Sequence, residues 1–403
     1  MAYIFERLWQ AGPAAFVVKA IIVALIADAL LLGFILGRRA YRKRYFSRRD
    51  ARVFEFRQKW KALIAGEIPY ETWRRKPFDV GIIESIALDA FEAAGPEESA
   101  QLLKFLRASG LIEKRIFEAR EFTGWRRMRA LVALGRTRAP EGISALAEGL
   151  RDDDMETRLA ALRGLGRTAS PRAGEEILAW VGERGLSVPA LPLQSALIQC
   201  CAERPQLLLS YVQHATGPVR EVLGRVLGEV ATPSLSLELL QFVGDDLDEL
   251  RAAAARAMSN GQPGVAFDVL NELARDPTWF VRLRAIVSLG RLSGPRAVPP
   301  LLRGLTDSHR LVRLRAAEAL VSFNTDMAAI LEQVVATRDR YGLHAYLTAV
   351  ENADVRAKLE QELESSAAIS DERKAQLRAV LHTGALNADD SAHAEKVPIS
   401  LGS

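Results

Sequence analysis

The sequence predicts an all-α protein in which one transmembrane helix precedes an α-solenoid of stacked helix pairs. An apolar run near the N-terminus predicts the transmembrane helix. An arginine that recurs every 31 residues, or every 62 where one unit lacks it, predicts the solenoid; its positions are Arg127, Arg158, Arg220, Arg251, Arg282 and Arg313. Such a period is typical of helix pairs that must stack to bury their apolar faces. It predicts about seven units, with further helices as caps.

Residues 13–37 form the apolar run, which Lys19 and Asp28 interrupt. At ~1.5 Å per residue a helix of this length crosses a hydrocarbon core of ~30 Å. Residues 1–12 are nearly neutral, whereas the residues after the run are strongly basic. A cleavable signal peptide has the opposite asymmetry. By the positive-inside rule we expect a single-pass protein of the inner (cytoplasmic) membrane, with residues 1–12 outside and the solenoid in the cytoplasm.

Asp28 lies near the middle of this run, where a charged side chain is costly unless it faces protein. Gly33 and Gly37 form part of a small-residue surface on the same predicted helix. These residues predict association with another transmembrane helix. The alternative is an isolated anchor in which Asp28 is protonated.

Residues 38–76 contain 14 Lys and Arg but only 4 Asp and Glu, with aromatic residues between them. We predict a basic, amphipathic juxtamembrane segment whose cations contact anionic lipid headgroups; the predicted contacts are Arg38, Arg39, Arg42, Lys43, Arg44, Arg48 and Arg49. A nucleic-acid-binding arm is the less favoured alternative. The whole chain carries a net charge of +4, so residues 77–403 carry −6, which disfavours a nucleic-acid partner.

Apolar spacing predicts two cap helices within residues 77–124, the repeat array over residues 125–325 and atypical C-terminal helices over residues 326–383. Residues 384–403 lack any apolar periodicity and are predicted to be a disordered tail.

Three further columns share the period of the arginines. A carboxylate stands six residues before the arginine, at Glu121, Asp152, Asp245, Asp276 and Asp307. A glycine stands eight residues after it, at Gly135, Gly166, Gly228 and Gly290. A proline follows, at Pro140, Pro171, Pro233, Pro263 and Pro295. We interpret them as an acidic turn before helix B of each pair, a glycine that ends helix B, and a proline that opens the next helix A.

The segment Val281–Arg291 (VRLRAIVSLGR) and its copy from Val312 resemble HEAT repeats, especially the short type found in bilin lyases and many bacterial scaffolds. The resemblance covers roughly residues 120–325. It implies a structural ladder between successive repeats, carried here by Asp245, Asp276 and Asp307 with Arg251, Arg282 and Arg313. Val188 and Pro189 replace the usual Val-Arg, so we expect a distorted repeat around residues 185–205.

The sequence contains no glycine-rich phosphate loop, paired-histidine metal motif or nucleophile elbow. Cys200 and Cys201 are adjacent, which favours two small apolar core residues over redox or metal chemistry. We therefore expect no catalytic residue, no cofactor and no metal, and hence a protein that is not an enzyme.

The outer face of helix B differs between repeats and carries additional arginines. The predicted partner-binding residues are Arg163, Arg225, Arg256, Arg284, Arg291 and Arg315, together with the aromatic pair Trp279 and Phe280. The arginines fit an acidic protein segment or an anionic ligand. The alternatives are a solvated face for the arginines and a plug between two repeats for the aromatic pair.

These features predict a membrane-tethered cytoplasmic scaffold or adaptor that binds a protein partner. Asp339-Arg340-Tyr341 and the general organisation resemble bacterial membrane-anchored HEAT-repeat proteins, which implies an accessory to a membrane enzyme such as a polysaccharide-making glycosyltransferase. The alternatives are a bilin lyase or isomerase and, less favoured, a nucleic-acid-binding HEAT protein.

Overall fold

The computed structural model describes residues 12–260, 263–323 and 326–384. The predicted external N-terminus, apart from its last residue, and the predicted disordered tail after Gly384 lie outside the described residues. All regular elements in the described ranges are helical, so the predicted all-α class is confirmed. The chain divides after Glu118 into two compact units.

Unit 1 consists of one very long helix and five shorter ones. They are α1 (Gly12–Gln58), α2 (Trp60–Ala65), α3 (Glu71–Arg74), α4 (Pro77–Ala93), α5 (Pro96–Ala108) and α6 (Leu111–Glu121), whose last three residues already belong to unit 2. Residues 77–124 thus contain α4, α5, α6 and the start of another helix, where the sequence predicted two. The extra helix was missed because only Ser109 and Gly110 separate α5 from α6. Gly110 reverses the chain there at a φ of 71°.

The core of unit 1 is aromatic at one end and ionic at the other. The Trp73 and Phe105 side chains are fully buried, with their ring centroids 6.1 Å apart. Glu84 on α4 accepts hydrogen bonds from both Nε and Nη2 of Arg115 on α6, and both side chains are almost fully buried. A buried pair of this kind must be complete, because either partner alone would be an unpaired charge in the core.

Unit 2 is an array of short helices with 3₁₀ turns between some of them. Its helices are α7 (Gly124–Thr137), α8 (Ile143–Gly149), α9 (Met155–Thr168), α10 (Pro171–Arg184), α11 (Ala190–Cys201), α12 (Leu207–His214), α13 (Gly217–Val230), α14 (Asp248–Ala257), α15 (Pro263–Leu273), α16 (Trp279–Leu292), α17 (Val298–Leu305), α18 (Arg310–Ser322), α19 (Met327–Ala336), α20 (Arg340–Asn352), α21 (Arg356–Ser365) and α22 (Asp371–Thr383). The last four helices, α19 to α22, occupy residues 327–383, where the sequence predicted atypical C-terminal helices.

The helices of unit 2 stack in two layers, as an α-solenoid requires. The B layer runs in the order α7, α9, α11, α13, α14, α16, α18, α20, and each helix packs on the next. The helices of the A layer, such as α8, α10, α15 and α17, pack against the B helix of their own pair. From Ala252 on α14 to Leu381 on α22 the buried apolar side chains form one continuous core. The predicted solenoid of helix pairs is confirmed.

The glycine column does not end helix B, which corrects the sequence-based interpretation. Gly135 and Gly290 lie inside the last turns of α7 and α16, and α7 ends later, at Arg138 with a φ of 53°. A Cβ at Gly135 would lie 2.4 Å from the Cα of Gly164, and one at Gly290 would lie 2.7 Å from the Cβ of Ala319. At these two positions the column is explained by successive B helices that approach too closely for a side chain, whereas at Gly228 a Cβ would make only a mild contact of 3.4 Å.

The irregular unit lies two repeats later than the sequence indicated. Residues 185–205 retain a regular helix B, because α11 packs between α9 and α13; only the ladder arginine is lost, to Pro189. The next unit has a regular helix A, α12, but in the unit after it helix A is replaced by two 3₁₀ turns, Pro233–Leu235 and Glu238–Phe242.

Candidate functional site

A ladder of arginine–aspartate pairs joins successive repeats along the B layer. In three consecutive repeats each arginine binds the aspartate 25 residues later, that is, the acidic turn of the next repeat. The pairs are Arg220–Asp245, Arg251–Asp276 and Arg282–Asp307, each with a shortest N–O distance of 2.7 Å. A fourth pair, Arg127–Asp152, has a distance of 2.6 Å.

Each ladder aspartate also organises its own turn. Asp276 accepts the backbone N–H of Thr278 at 2.8 Å, and Asp307 accepts that of His309 at 2.8 Å. These turns place the carboxylate immediately before helix B, as the acidic column predicted. Arg313, the last arginine of the column, lies instead over the ring of Tyr341, 5.3 Å from its centroid. The ladder thus ends in a cation–π contact.

A groove runs across four successive B helices, α13, α14, α16 and α18, and extends to Gln194 on α11. We call it the α13–α18 groove; its volume is about 880 Å³. Its lining includes six of the eight predicted partner-binding residues, namely Arg225, Arg284, Arg291, Arg315, Trp279 and Phe280. The α14 helix carries four consecutive alanines and contributes Glu249 and Ala252 to the lining.

Two predicted residues lie outside this lining. Arg256 on α14 is next to it and approaches Glu229, a lining residue, at 3.7 Å. Arg163 on α9 is exposed and does not line the groove. The predicted arginine strip is therefore continuous from α13 to α18 and does not include α9.

Glutamates that the sequence analysis did not single out accompany the arginines. Arg225 binds Glu249 at 3.0 Å, and Arg315 binds Glu318 at 2.6 Å. Glu229 receives a hydrogen bond from Arg284 at 3.0 Å. The sequence could have indicated Glu229. It stands nine residues after the ladder position, where other repeats have Arg136, Arg167 and Arg291.

Arg291 is the groove cation without a carboxylate within 4 Å among the described residues. The environment of Arg256 disfavours its positive charge. Burial lowers the pKa of Arg256 and repulsion from Arg284 lowers it further, while Glu229 acts in the opposite direction. The groove is thus a mixed surface on which arginine charge exceeds glutamate charge.

The aromatic pair serves two surfaces. The Trp279 ring stacks on His309 at 3.9 Å between centroids and contacts Phe280 edge-on at 5.9 Å. Trp279 therefore fills the space between two repeats, as the alternative interpretation held, and it also lines the groove. Phe280, Leu283 and Val287 add an apolar strip from α16.

The predicted membrane residues lie on α1. The most hydrophobic part of α1 has a mean hydropathy of 2.6 and is not buried at all. By length and composition, α1 is a candidate to cross a membrane. Asp28 is exposed, and a Cβ at Gly33 or Gly37 would meet no atom within 4 Å. Association with another helix stays a prediction.

The seven predicted lipid-contacting cations continue the same helix without a break. Six of them are exposed and Arg49 is half-buried, and none pairs with a carboxylate in the described residues. At about 100° per residue they point to all sides of α1, so this part of the helix is not amphipathic. Amphipathic character begins later, where Phe56 and Leu63 are buried in unit 1.

The described residues contain no cluster of metal-binding side chains. Cys200 and Cys201 are free and fully buried on α11, and burial raises the pKa of the Cys200 thiol to about 12. Thiols of this kind are unreactive core residues.

Comparisons with known proteins address the fold. Residues 267–347, from α15 to α20, match the family model for HEAT repeats. An engineered protein of known crystal structure is 18% identical with a TM-score of 0.38, over 78% of this chain and 98% of that one. Yeast importin-beta (Kap95p) is 14% identical with a TM-score of 0.34, over 77% of this chain and 57% of that one. Kap95 in a Kap95:Nup1 complex is 15% identical with a TM-score of 0.39, over 77% of this chain and 54% of that one.

The chain thus spans little more than half the length of the Kap95 chains. Comparison with curated proteins gives no match. Together with the two-layer stack, the HEAT match defines unit 2 as a HEAT-type α-solenoid, a fold typical of scaffold and protein-interaction proteins.

Proposed function

We propose that this protein is a scaffold that binds a protein partner in the α13–α18 groove while α1 anchors it in the inner membrane. The observation that carries the proposal is the convergence of four arginines and two aromatic residues from α13, α16 and α18 on one recessed surface. Arginine and large aromatic side chains are the residue types that contribute most at protein interfaces.

The partner surface that fits this groove is acidic, with apolar side chains among its carboxylates. Arginine binds carboxylates bidentately, and unpaired Arg291 is available for such a contact. Phe280, Leu283 and Val287 accept the apolar part. The proposed role is binding and not catalysis, because the ionisable groups repeat with the 31-residue period and do not converge on a reaction centre.

The anchor restricts the partner to the membrane surface. The exposed apolar stretch of α1 supports membrane insertion, and the seven cations after it support contact with anionic headgroups in the cytoplasmic leaflet. The resemblance to membrane-anchored HEAT proteins makes a membrane enzyme, such as a polysaccharide-making glycosyltransferase, our proposed class of partner.

Site-specific photocrosslinking in native membranes tests the groove. We expect a photoreactive residue in place of Leu283 to give a defined adduct with one protein. The matched control is Val265, an apolar and 47% exposed residue on α15 outside the groove, and it should give no such adduct.

Charge reversal tests the role of the arginines. We expect the triple change Arg284→Glu, Arg291→Glu and Arg315→Glu to abolish the Leu283 adduct while circular dichroism and membrane fractionation are unchanged. Adducts of equal yield from both positions, or an adduct unaffected by the triple change, would refute the groove as the binding surface.

A further inference from the structure

Glu229 reaches across one helix of the groove to bind an arginine two B helices away. It stands in the last turn of α13, and its Oε1 accepts a hydrogen bond from Nη2 of Arg284 on α16 at 3.0 Å. Its Oε2 lies 3.7 Å from Nη1 of Arg256 on the intervening helix α14. Between the two partners, α14 carries the small side chains of Ala252 to Ala255.

One carboxylate at this position does not balance the surrounding positive charge. Burial lowers the pKa of Arg256 most, and the nearby charges of Arg284 and Arg291 lower it further, so both of these guanidinium groups repel that of Arg256. Arg256 also donates to the backbone oxygen of Gly228 at 3.4 Å. Glu229 itself is 51% exposed, so water and a second carboxylate have access to the same site.

The surface beside the arginines indicates which type of ligand would supply a second carboxylate. Phe280, Leu283 and Val287 stand at positions i, i+3 and i+7 of α16 and form one apolar strip beside the arginines. A helix with apolar residues on one face and carboxylates at the edge of that face would contact both the apolar strip and the arginines. An extended acidic peptide would meet the arginines but would leave much of the apolar strip exposed.

We propose that Glu229 is a resident competitor: it occupies the Arg256–Arg284 site in the free array and is displaced by a carboxylate of an acidic amphipathic helix from the partner. This inference rests on the proposed function and specifies its ligand. Binding of the partner then exchanges one ion pair for another, and the Glu229 carboxylate opposes the exchange by occupying the site and by repelling the incoming charge. Glu229 thus sets the affinity and selects partners with several carboxylates.

Peptide binding to the full-length protein tests this inference. The protein is placed in phosphatidylcholine nanodiscs, and the probe is a fluorescein-labelled 18-residue helical peptide of Leu and Glu at amphipathic spacing, measured by anisotropy. The comparison peptide has Gln at every Glu. We expect the Glu peptide to bind more tightly than the Gln peptide, with an affinity that falls as salt is raised.

We expect two substitutions to change the Kd of the Glu peptide in opposite directions. We expect Glu229→Gln to lower the Kd of the Glu peptide by roughly threefold or more, because the competing charge is removed. Arg284→Gln should raise the Kd by about tenfold, because a charge-assisted hydrogen bond is lost. The matched control is Glu175→Gln, which changes a glutamate that is also 51% exposed and lies 3.8 Å from an arginine, but is outside the groove. It should leave the Kd unchanged.

Each result bears on the inference. It is overturned if Glu229→Gln weakens binding or leaves it unchanged, if the Gln peptide binds as well as the Glu peptide, or if a Lys/Leu peptide binds through Glu229 instead. Circular dichroism of each variant excludes misfolding as the cause. If the Leu283 crosslink forms but the Glu peptide does not compete with it, the inference fails while the proposed function stands. If no groove crosslink forms, the proposed function itself fails.

Discussion

Arg282 on α16 joins the acidic turns of two successive repeats. Its Nε and Nη2 donate to the two carboxylate oxygens of Asp307 at 2.7 and 2.8 Å, while its Nη1 donates to the backbone oxygen of Asp276 at 2.9 Å. The Arg282 side chain is 14% exposed and that of Asp307 10%. One guanidinium therefore satisfies the turn of its own repeat and fixes the spacing to the next.

Removing this arginine should destabilise the array. We expect Arg282→Ala to lower the free energy of unfolding by ~1–3 kcal/mol, because Asp307 would remain largely buried without its partner. Chemical denaturation followed by circular dichroism measures the change. The control is Arg284→Ala, two residues away, whose side chain pairs with the half-exposed Glu229 and should cost less than ~1 kcal/mol. Equal losses from both variants would contradict a structural role specific to the ladder.

The ladder also predicts how stability depends on pH. Burial alone would raise the pKa of Asp307, but hydrogen bonds from Arg282 and from the backbone of His309 outweigh it, so that the pKa is lowered. The pKa of Asp245 is lowered in the same way, with Arg220 as the cation. A carboxyl group whose folded-state pKa is lowered contributes stability at pH values above its unfolded pKa of ~3.9, and this contribution is lost as pH falls through the folded value.

We therefore expect the free energy of unfolding to fall as pH is lowered from about 5 to below 4. The Asp307→Asn variant should start from a lower stability and lose less over the same interval, because it has one titrating ladder group fewer. Urea denaturation at a series of pH values measures both slopes. Parallel curves for the two proteins would show that Asp307 does not contribute to the pH dependence.

The glycine column gives a prediction based on close packing. A Cβ at Gly135 would lie 2.4 Å from the Cα of Gly164, a backbone atom that cannot move alone, so we expect Gly135→Ala to cost ~1–3 kcal/mol. At Gly228 the nearest atom to a Cβ is the Glu249 oxygen at 3.4 Å. Gly228→Ala should not lower the melting temperature, because the helix propensity of Ala offsets the mild contact by ~0.5–1 kcal/mol. Melting temperatures that fall equally in both variants would contradict this explanation of the column.

The sequence predicted the solenoid correctly because its period is imposed by stacking, which demands the same residue types in each repeat. It failed where one residue type satisfies two different structural needs. Gly135 was interpreted as a helix end. It lies inside α7 instead, where it allows the next B helix to approach closely. The cluster around Glu229 was also out of reach, since Arg284 is 55 residues away and only the three-dimensional stack places the two side chains together.

The membrane anchor gives a prediction about topology. The apolar stretch and the seven cations that follow it belong to one continuous helix, α1. The cations point to all sides of this helix. A helix lying flat on a membrane needs its cations on one face, whereas a helix that crosses the bilayer meets headgroups all around it. From this geometry and the positive-inside rule we expect the cations and the array to lie on the cytoplasmic side.

We expect a reporter that is active only in the periplasm to be silent when it is fused after Gly384 and active when it is fused before Pro13. The control replaces Arg38, Arg39, Arg42 and Arg44 by Gln, which removes most of the charge asymmetry next to the apolar stretch and should make the orientation mixed. Alkali extraction of the membranes distinguishes an inserted protein, which stays in the pellet, from a surface-bound one. Periplasmic activity of the Gly384 fusion in the unmodified protein would overturn the assignment, and with it any partner on the cytoplasmic side.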